Sequence, residues 1–206
     1  MRMISCNRKK TASKAGSRFA SGLLLSRQGD GFTIARYGRE NLFTEAGFMI
    51  VIYTYENIFD LPDYDHMGVC VTTNGDLRRD GTAVMGAGQA KEANQRYCCA
   101  GKLGDYLKQY GNRVFNLGMV QTKSGQPYRL ISFPTKHSWR EKSDIKLIEQ
   151  SAHQLMEFAT KFELSRVFLP PAGCGLGGLN WNKDVAPVLE KILDNRFCVV
   201  RRPVRE

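Results

Sequence analysis

The sequence predicts an α/β domain: a central mixed sheet with helices on both faces, in three layers. Three observations carry this. From Met49 onward, short β-branched and aromatic runs alternate with longer stretches of helical period, in the order β-β-α-α-β-β-α-β-α-β. A glycine-rich loop, Pro170-Pro-Ala-Gly-Cys-Gly-Leu-Gly-Gly-Leu-Asn-Trp181, separates an apolar run from an amphipathic stripe. Strands and helices interleaved on this scale have to cover both faces of one sheet. At 206 residues the chain is long enough to bury a real core in one domain.

The first 48 residues stand apart. They show no sustained period of two or 3.6 and are rich in Ser, Gly, Arg and Lys. Nine basic residues against Asp30, Glu40 and Glu45 give this leader a balance of +6, so only +4 of the net +10 belongs to the remainder. Leu23-Leu24-Leu25 is too short for the apolar core of a secretory signal. Three readings stay open for 1–48: a flexible basic arm able to bind nucleic acid, an organellar targeting segment, or sequence upstream of a true start at Met49. In each the leader is poorly ordered, and the domain is 49–206.

The elements after Met49 follow in order. Ile50–Tyr55 and Val69-Cys70-Val71-Thr72-Thr73 are apolar, β-branched runs that suit buried strands. Ala83 to Gly88 opens a helical segment reaching about Cys99; a second helix carries Leu103, Tyr106, Leu107 and Tyr110 on one face and stops at Gly111. Val114–Gln121 and Tyr128–Pro134 read as strands joined through Lys123-Ser-Gly-Gln126. Ser143 is the expected cap of a long helix with the stripe Ile145, Ile148, Ala152, Leu155, Met156 and Ala159. Val167-Phe168-Leu169 is a buried strand. After the glycine loop, Val185, Val188, Leu189, Ile192 and Leu193 form one helical stripe, and Cys198-Val199-Val200 closes the sheet. Because Pro187 is tolerated only in a first turn, that last helix starts near Lys183 or Asp184.

Strand, glycine loop, helix is an arrangement that brings backbone N–H groups up to an anion. Gly173, Gly175, Gly177 and Gly178 are four glycines in six positions, more than one turn needs. A side chain at Gly177 is expected to block the approach of phosphate without disturbing the core. Gly86 and Gly88 make a second such turn at a helix start. No third glycine of the dinucleotide fingerprint and no Gly-Lys-Ser/Thr follows, so triphosphate hydrolysis is excluded. Two glycine loops point to a diphosphate gripped from both sides. The six cysteines show no paired metal spacing and read as reduced thiols of a cytoplasmic protein. No apolar run approaches a membrane span, so no membrane partner is expected.

Thr73-Asn-Gly75, Val84-Met-Gly-Ala-Gly-Gln-Ala90 and Gly173-Cys-Gly-Leu-Gly-Gly-Leu-Asn-Trp181 resemble the signature segments of macrodomains, α/β/α modules that bind ADP-ribose. The resemblance covers 49–200. Phe133-Pro-Thr-Lys-His-Ser-Trp139 is similar to a narrower group, which includes the antitoxin macrodomain that removes ADP-ribose from DNA bases and the terminal ADP-ribose protein glycohydrolase. The resemblance implies that Lys136 is the catalytic lysine and that Asn74 contacts the distal ribose, which bears the leaving group. It implies that Met85, Gly86, Ala87, Gly88 and Thr135 belong to the ligand site, together with the loop Gly173, Cys174, Gly175, Leu176, Gly177, Gly178 and Leu179. Asn57 stands where the family often has an Asp that receives the adenine amino group, and can still accept through its amide oxygen. Gly177 replaces an acid of the protein glycohydrolase, which favours the DNA-base type.

The implied activity is hydrolysis of an ADP-ribosyl linkage on a DNA base or protein side chain, by a monomer without cofactor or metal. The alternatives are a non-catalytic ADP-ribose-binding module and an ADP-ribose 1''-phosphate phosphatase. Read without the resemblance, Lys136 is a solvated strand-end lysine, His137 a surface histidine, and Trp139 and Trp181 core anchors. Cys98 and Cys99 are core residues of a helix, Cys174 a small residue in a tight loop, Asp80 a turn residue and His153 solvent-facing.

Overall fold

The computed structural model describes residues 22–28, 31–37, 49–61 and 65–202. Eight strands form one sheet: β1 (Gly22–Gln28), β2 (Gly31–Tyr37), β3 (Ile50–Tyr53), β4 (Met67–Asn74), β5 (Asn116–Gln121), β6 (Pro127–Lys136), β7 (Arg166–Leu169) and β8 (Phe197–Arg201). Helices α1 (Gly88–Tyr97), α2 (Ala100–Tyr110), α3 (Ile145–Lys161) and α4 (Ala186–Leu189) interleave with them. From Met49 the element order is the expected one.

The strand order is β2-β1-β3-β8-β7-β4-β6-β5. The four pairings from β3 through to β6 are parallel, and β5, β1 and β2 join antiparallel. Buried side chains divide into two clusters across the sheet. Ile50, Val69, Val71, Tyr128 and Leu130 pack with Ala93, Leu103 and Leu107 of α1 and α2. Cys70, Ile131, Phe133, Val167 and Leu169 pack with Ile148, Leu155 and Leu189 of α3 and α4. Alternate residues of one strand thus serve opposite layers, which is why β4 shows no apolar–polar alternation through Val69-Cys70-Val71. The three-layer α/β/α architecture with a central mixed sheet is established.

Several local expectations change. Two leader stretches without a recognisable period form the antiparallel hairpin β1–β2, whose β1 pairs with β3 from Leu23↔Tyr53 to Leu25↔Val51. Leu23-Leu24-Leu25 and Phe32-Thr33-Ile34 are runs of strand-forming residues. The other leader residues lie outside the described ones. The first helix begins at Gly88, because Ala83 and Val84 are tied to the neighbouring loop and helix: Ala83 N donates to Ala100 O (2.9 Å) and Val84 N to Asp76 O (3.0 Å). Asp144, not Ser143, caps α3; its carboxylate accepts from Lys146 N at 2.9 Å. The last helix opens with a π-turn over Trp181–Val185 and its α-part ends at Leu189. Gly111, with φ 76°, stops α2 as expected.

Candidate functional site

A cleft of about 800 Å³ opens at the carboxyl edge of the sheet, between the ends of β4, β6 and β7. The sequence explains why the sheet parts there. β7 pairs with β4 only as far as Val69↔Phe168, and Pro170 and Pro171 follow. A proline has no N–H to continue a ladder. This leaves Cys70 O and Thr72 N of β4 without a strand partner on that side. Gln89 of α1 takes both: its Nε2 donates to Cys70 O (2.9 Å) and its Oε1 accepts from Thr72 N (3.2 Å). The same contacts seat the start of α1 over the split. Gln89→Leu should therefore strand two inward-facing backbone groups and cost about 1–3 kcal/mol of stability, read from urea unfolding; an unchanged midpoint would show that water replaces the amide.

Two glycine segments face each other across this cleft. One is Gly86-Ala87-Gly88, leading into α1 with no side-chain cap; the first-turn amides of a helix have no carbonyl partner within it. The other is Gly173 to Gly177. Gly173 and Gly178 adopt φ of 73° and 77°, and the loop closes through Gly178 N to Gly175 O (3.1 Å) and Leu179 N to Gly173 O (3.1 Å). The Gly175, Leu176 and Gly177 amides make no backbone hydrogen bond among the described residues. Both segments thus offer unpaired backbone donors, which suits a diphosphate.

Between the loops lie the two candidate catalytic residues. A register shift between Thr73 and Asn74 sets Asn74 opposite Lys136 at the paired ends of β4 and β6. The Asn74 amide donates to Val84 O (3.0 Å) and accepts from Asp76 N (3.0 Å). Its second N–H and its second lone pair stay available. Lys136 Nζ reaches over to the second glycine loop and donates to Leu176 O at 2.9 Å. The two strand ends are also clamped: Gly75 N donates to His137 O (3.0 Å), and Asp76 Oδ2 accepts from Ser138 Oγ (2.7 Å) and Trp139 N (2.9 Å).

Of the expected site residues, Asn74, Gly86, Ala87, Gly88, Thr135, Lys136, Gly173, Gly175, Leu176 and Gly177 line the cleft. Asn57, Met85, Cys174, Gly178 and Leu179 do not. Met85 is buried beneath its loop. Cys174 donates to Ala172 O (3.3 Å), and burial raises its thiol pKa, disfavouring the thiolate. Asn57 caps a short 3-10 turn, its Oδ1 accepting from Phe59 N (3.0 Å) and its Nδ2 donating to Glu92 (2.7 Å).

A Cβ at Gly177 would overlap Gly173 O and Ser143 Oγ, so a side chain there displaces the loop itself; the expectation of a harmless block is corrected. Trp139 is no core anchor: it is 53 % exposed at the cleft's mouth, whereas Trp181 is buried. Cys99 is core; Cys98 is the exposed left-handed cap of α1. Asp80 is a turn residue accepting from Thr82, and His153 is exposed. His137 is exposed too and meets Asp144 Oδ2 at 3.0 Å, a contact that holds the Asp144 carboxyl below its ordinary range. Sequence reasoning missed Gln89, Asp76 and the mouth residues Arg140, Glu141, Lys142 and Ser143. Gln89 lies within the first glycine motif, yet its partners are backbone groups that no sequence pattern displays.

No protein-family model matches the chain. Over 102 residues it is 32% identical to the DNA ADP-ribosyl glycohydrolase of Mycobacterium tuberculosis, covering 48% of this chain and 28% of that protein. Over 63 residues it is 42% identical to a DNA ADP-ribosyl transferase–DNA ADP-ribosyl glycohydrolase fusion protein of Thermosipho africanus, covering 31% of this chain and 16% of that protein. The chain therefore spans under a third of the length of these curated relatives. Among solved structures, the macrodomain of Mycobacterium tuberculosis DarG is similar with a TM-score of 0.56 at 22% identity, over 76% of this chain and 99% of that one. Thermosipho africanus DarTG in complex with ADP-ribose gives 0.58 at 21%, over 79% and 43%. At these identities the structural likeness is one of fold.

Proposed function

We propose that this chain, a macrodomain by fold and similar in sequence to DNA ADP-ribosyl glycohydrolases, binds ADP-ribose in the cleft and hydrolyses its linkage to a modified DNA base. The observation that carries the reading is Lys136, an amine placed between Asn74 and the second glycine loop. Binding a diphosphate needs the backbone cradle; it does not need an amine at the ribose end. In this reading the Lys136 amine, as free base, forms a bond to the anomeric carbon of the distal ribose while the bond to the base breaks. The departing base takes a proton from water, from His137 or from the substrate. Water then adds to the anomeric carbon and the amine leaves, giving ADP-ribose and restoring the lysine. Asn74 orients the ribose hydroxyls with its free N–H and lone pair. Asn57 remains the candidate for the adenine amino group through the second lone pair of its oxygen.

A binding module without turnover is the second reading. The bond from Lys136 Nζ to Leu176 O favours it, because there the lysine acts as a strap that holds the glycine loop. A calorimetric titration with ADP-ribose tests what both share. One site per chain is expected, and absence of binding sinks both.

Residues 49–206 are proposed as the functional unit. Among the residues whose side chains are described, the two core clusters are built by Met49 and residues after it, and the leader's described contact is the edge pairing of β1 on β3. A chain starting at Met49 should bind ADP-ribose with unchanged affinity. A drop of more than about 8 °C in melting temperature, the scale of about 2–4 kcal/mol in a domain this size, would show that the hairpin is part of the core. Among the described residues no helix is long and apolar enough to cross a membrane. Cys70, Cys99, Cys174 and Cys198 are free thiols, whereas Cys98 is disulfide-bonded, so the expectation that all six cysteines are reduced is corrected.

A further inference from the structure

Two hydrogen-bonding groups without a settled partner meet beneath the second glycine loop. The first is the hydroxyl of Ser143, a cleft-lining residue that is 8 % exposed. Its Oγ is buried and has no hydrogen-bond partner among the described residues. The other buried serine hydroxyls are paired: Ser132 Oγ donates to Arg113 O (3.2 Å) and Ser151 Oγ to Pro134 O (2.9 Å). Nor does Ser143 serve α3, whose cap is Asp144. Its backbone is firmly placed. Ser143 N donates to Gly177 O (2.9 Å), and Asp144 N to Thr135 O (3.0 Å), which sets Ser143 beside Lys136. The hydroxyl lies against the loop: a Cβ at Gly177 would overlap Ser143 Oγ, and one at Gly173 would come within 3.0 Å of Ser143 Cβ. A buried hydroxyl that donates to nothing is destabilising. The second group is Leu176 O, which accepts from Lys136 Nζ at 2.9 Å. A lysine that turns to the anomeric carbon gives that bond up and leaves the carbonyl without its donor.

Resting on the reading of Lys136 as the nucleophile, we propose that Ser143 is a positioning residue: when Lys136 turns to the ribose, the Ser143 hydroxyl donates to Leu176 O in its place. A donor without an acceptor and an acceptor losing its donor then satisfy each other. The movement required is small. Leu176 O belongs to the peptide group that joins Leu176 to Gly177, and the hydroxyl already lies against Gly177. Rotation of that one peptide brings the two together, and a residue without a side chain at 177 leaves the rotation unhindered. The glycine loop is thus held in both states, by the lysine before the amine engages and by the serine afterwards. The lysine is released without releasing the diphosphate.

Two experiments on the full chain test this. In the first, the wild type and Ser143→Ala are saturated with free ADP-ribose and treated with cyanoborohydride. The Lys136 amine condenses with the open-chain aldehyde, losing water, and the reagent delivers hydride to the imine carbon; peptide mass spectrometry follows the capture. Capture should be about 3- to 10-fold slower in Ser143→Ala, the scale of one hydrogen bond, at unchanged ADP-ribose affinity. The kcat on an ADP-ribosylated oligonucleotide should fall by the same factor with KM unchanged. Equal capture rates overturn the role of Ser143 and leave the lysine reading standing. A matching loss of affinity makes the hydroxyl a ligand contact and also overturns it. No capture in the wild type removes the lysine reading and this proposal with it. The second experiment needs no ligand. Ser143→Ala should not lower the melting temperature of the otherwise wild-type protein, because its hydroxyl holds nothing there. In a Lys136→Met background, where the carbonyl has lost the lysine, the same substitution should lower it by about 2–4 °C. Equal shifts in the two backgrounds mean no coupling between the residues and overturn the proposal.

Discussion

Replacing Lys136 by alanine lowers turnover of the ADP-ribosylated substrate by at least about a hundredfold, while free ADP-ribose still binds. The size follows from the loss of a positioned catalytic group, which is worth about 10²–10⁴ in rate, or about 2.7 kcal/mol of barrier at the lower end. Binding survives because the diphosphate is held by the backbone of Gly86–Gly88 and Gly173–Gly177, which the side chain does not supply. One complication is built into the structure: Lys136 also donates to Leu176 O, so alanine releases the second glycine loop. Lys136→Arg separates the two roles. A guanidinium keeps a donor for the carbonyl but stays protonated, and cannot act as a nucleophile. If arginine binds ADP-ribose as the wild type does and fails to turn over substrate, the lysine is chemical. If arginine restores turnover, the lysine is a strap.

Gly175→Val should abolish ADP-ribose binding, by about a hundredfold or more, with the fold intact. A Cβ at Gly175 meets nothing within 4 Å, and its backbone is not in the positive-φ region, so valine is accommodated by the protein. Its branches then occupy the face of the loop where phosphate oxygens must approach the amides. Gly177→Val is a different experiment, because its Cβ would overlap Gly173 O and Ser143 Oγ; it should lose binding and melt earlier together. Calorimetry beside a melting curve distinguishes the two. Unchanged affinity in a folded Gly175→Val protein would take the second glycine loop out of the site.

The elements after Met49 are legible because each rests on a local pattern. The strands from β3 to β8 are apolar runs, α2 and α3 carry clear stripes, and Gly111 marks a stop. What escapes a sequence reading depends on partners far apart in the chain. Ser143 has a capping side chain, but Asp144 is better placed, and Ser143 N is spent on Gly177 O (2.9 Å). Trp139 reads as core because large aromatics usually are buried; only its anchoring by Asp76, 63 residues earlier, holds it at the mouth. The hairpin β1–β2 is hidden because its strands lie in a basic, period-free segment. The glycine loops are readable as an anion cradle from composition alone. That Lys136 and Asn74 meet there follows from the parallel pairing of β4 and β6 and the shift at Thr73, which no spacing in the sequence encodes.

The central claim is that the cleft is a hydrolase site for ADP-ribosylated DNA. The direct measurement is chromatographic: the wild-type chain is incubated in parallel with an ADP-ribosylated single-stranded oligonucleotide, an ADP-ribosylated protein and ADP-ribose 1''-phosphate, and released ADP-ribose is followed. Release from the oligonucleotide is expected, at a rate that collapses in Lys136→Ala. No release from any of the three by a protein that still binds ADP-ribose would contradict the claim and leave the cleft a binding module.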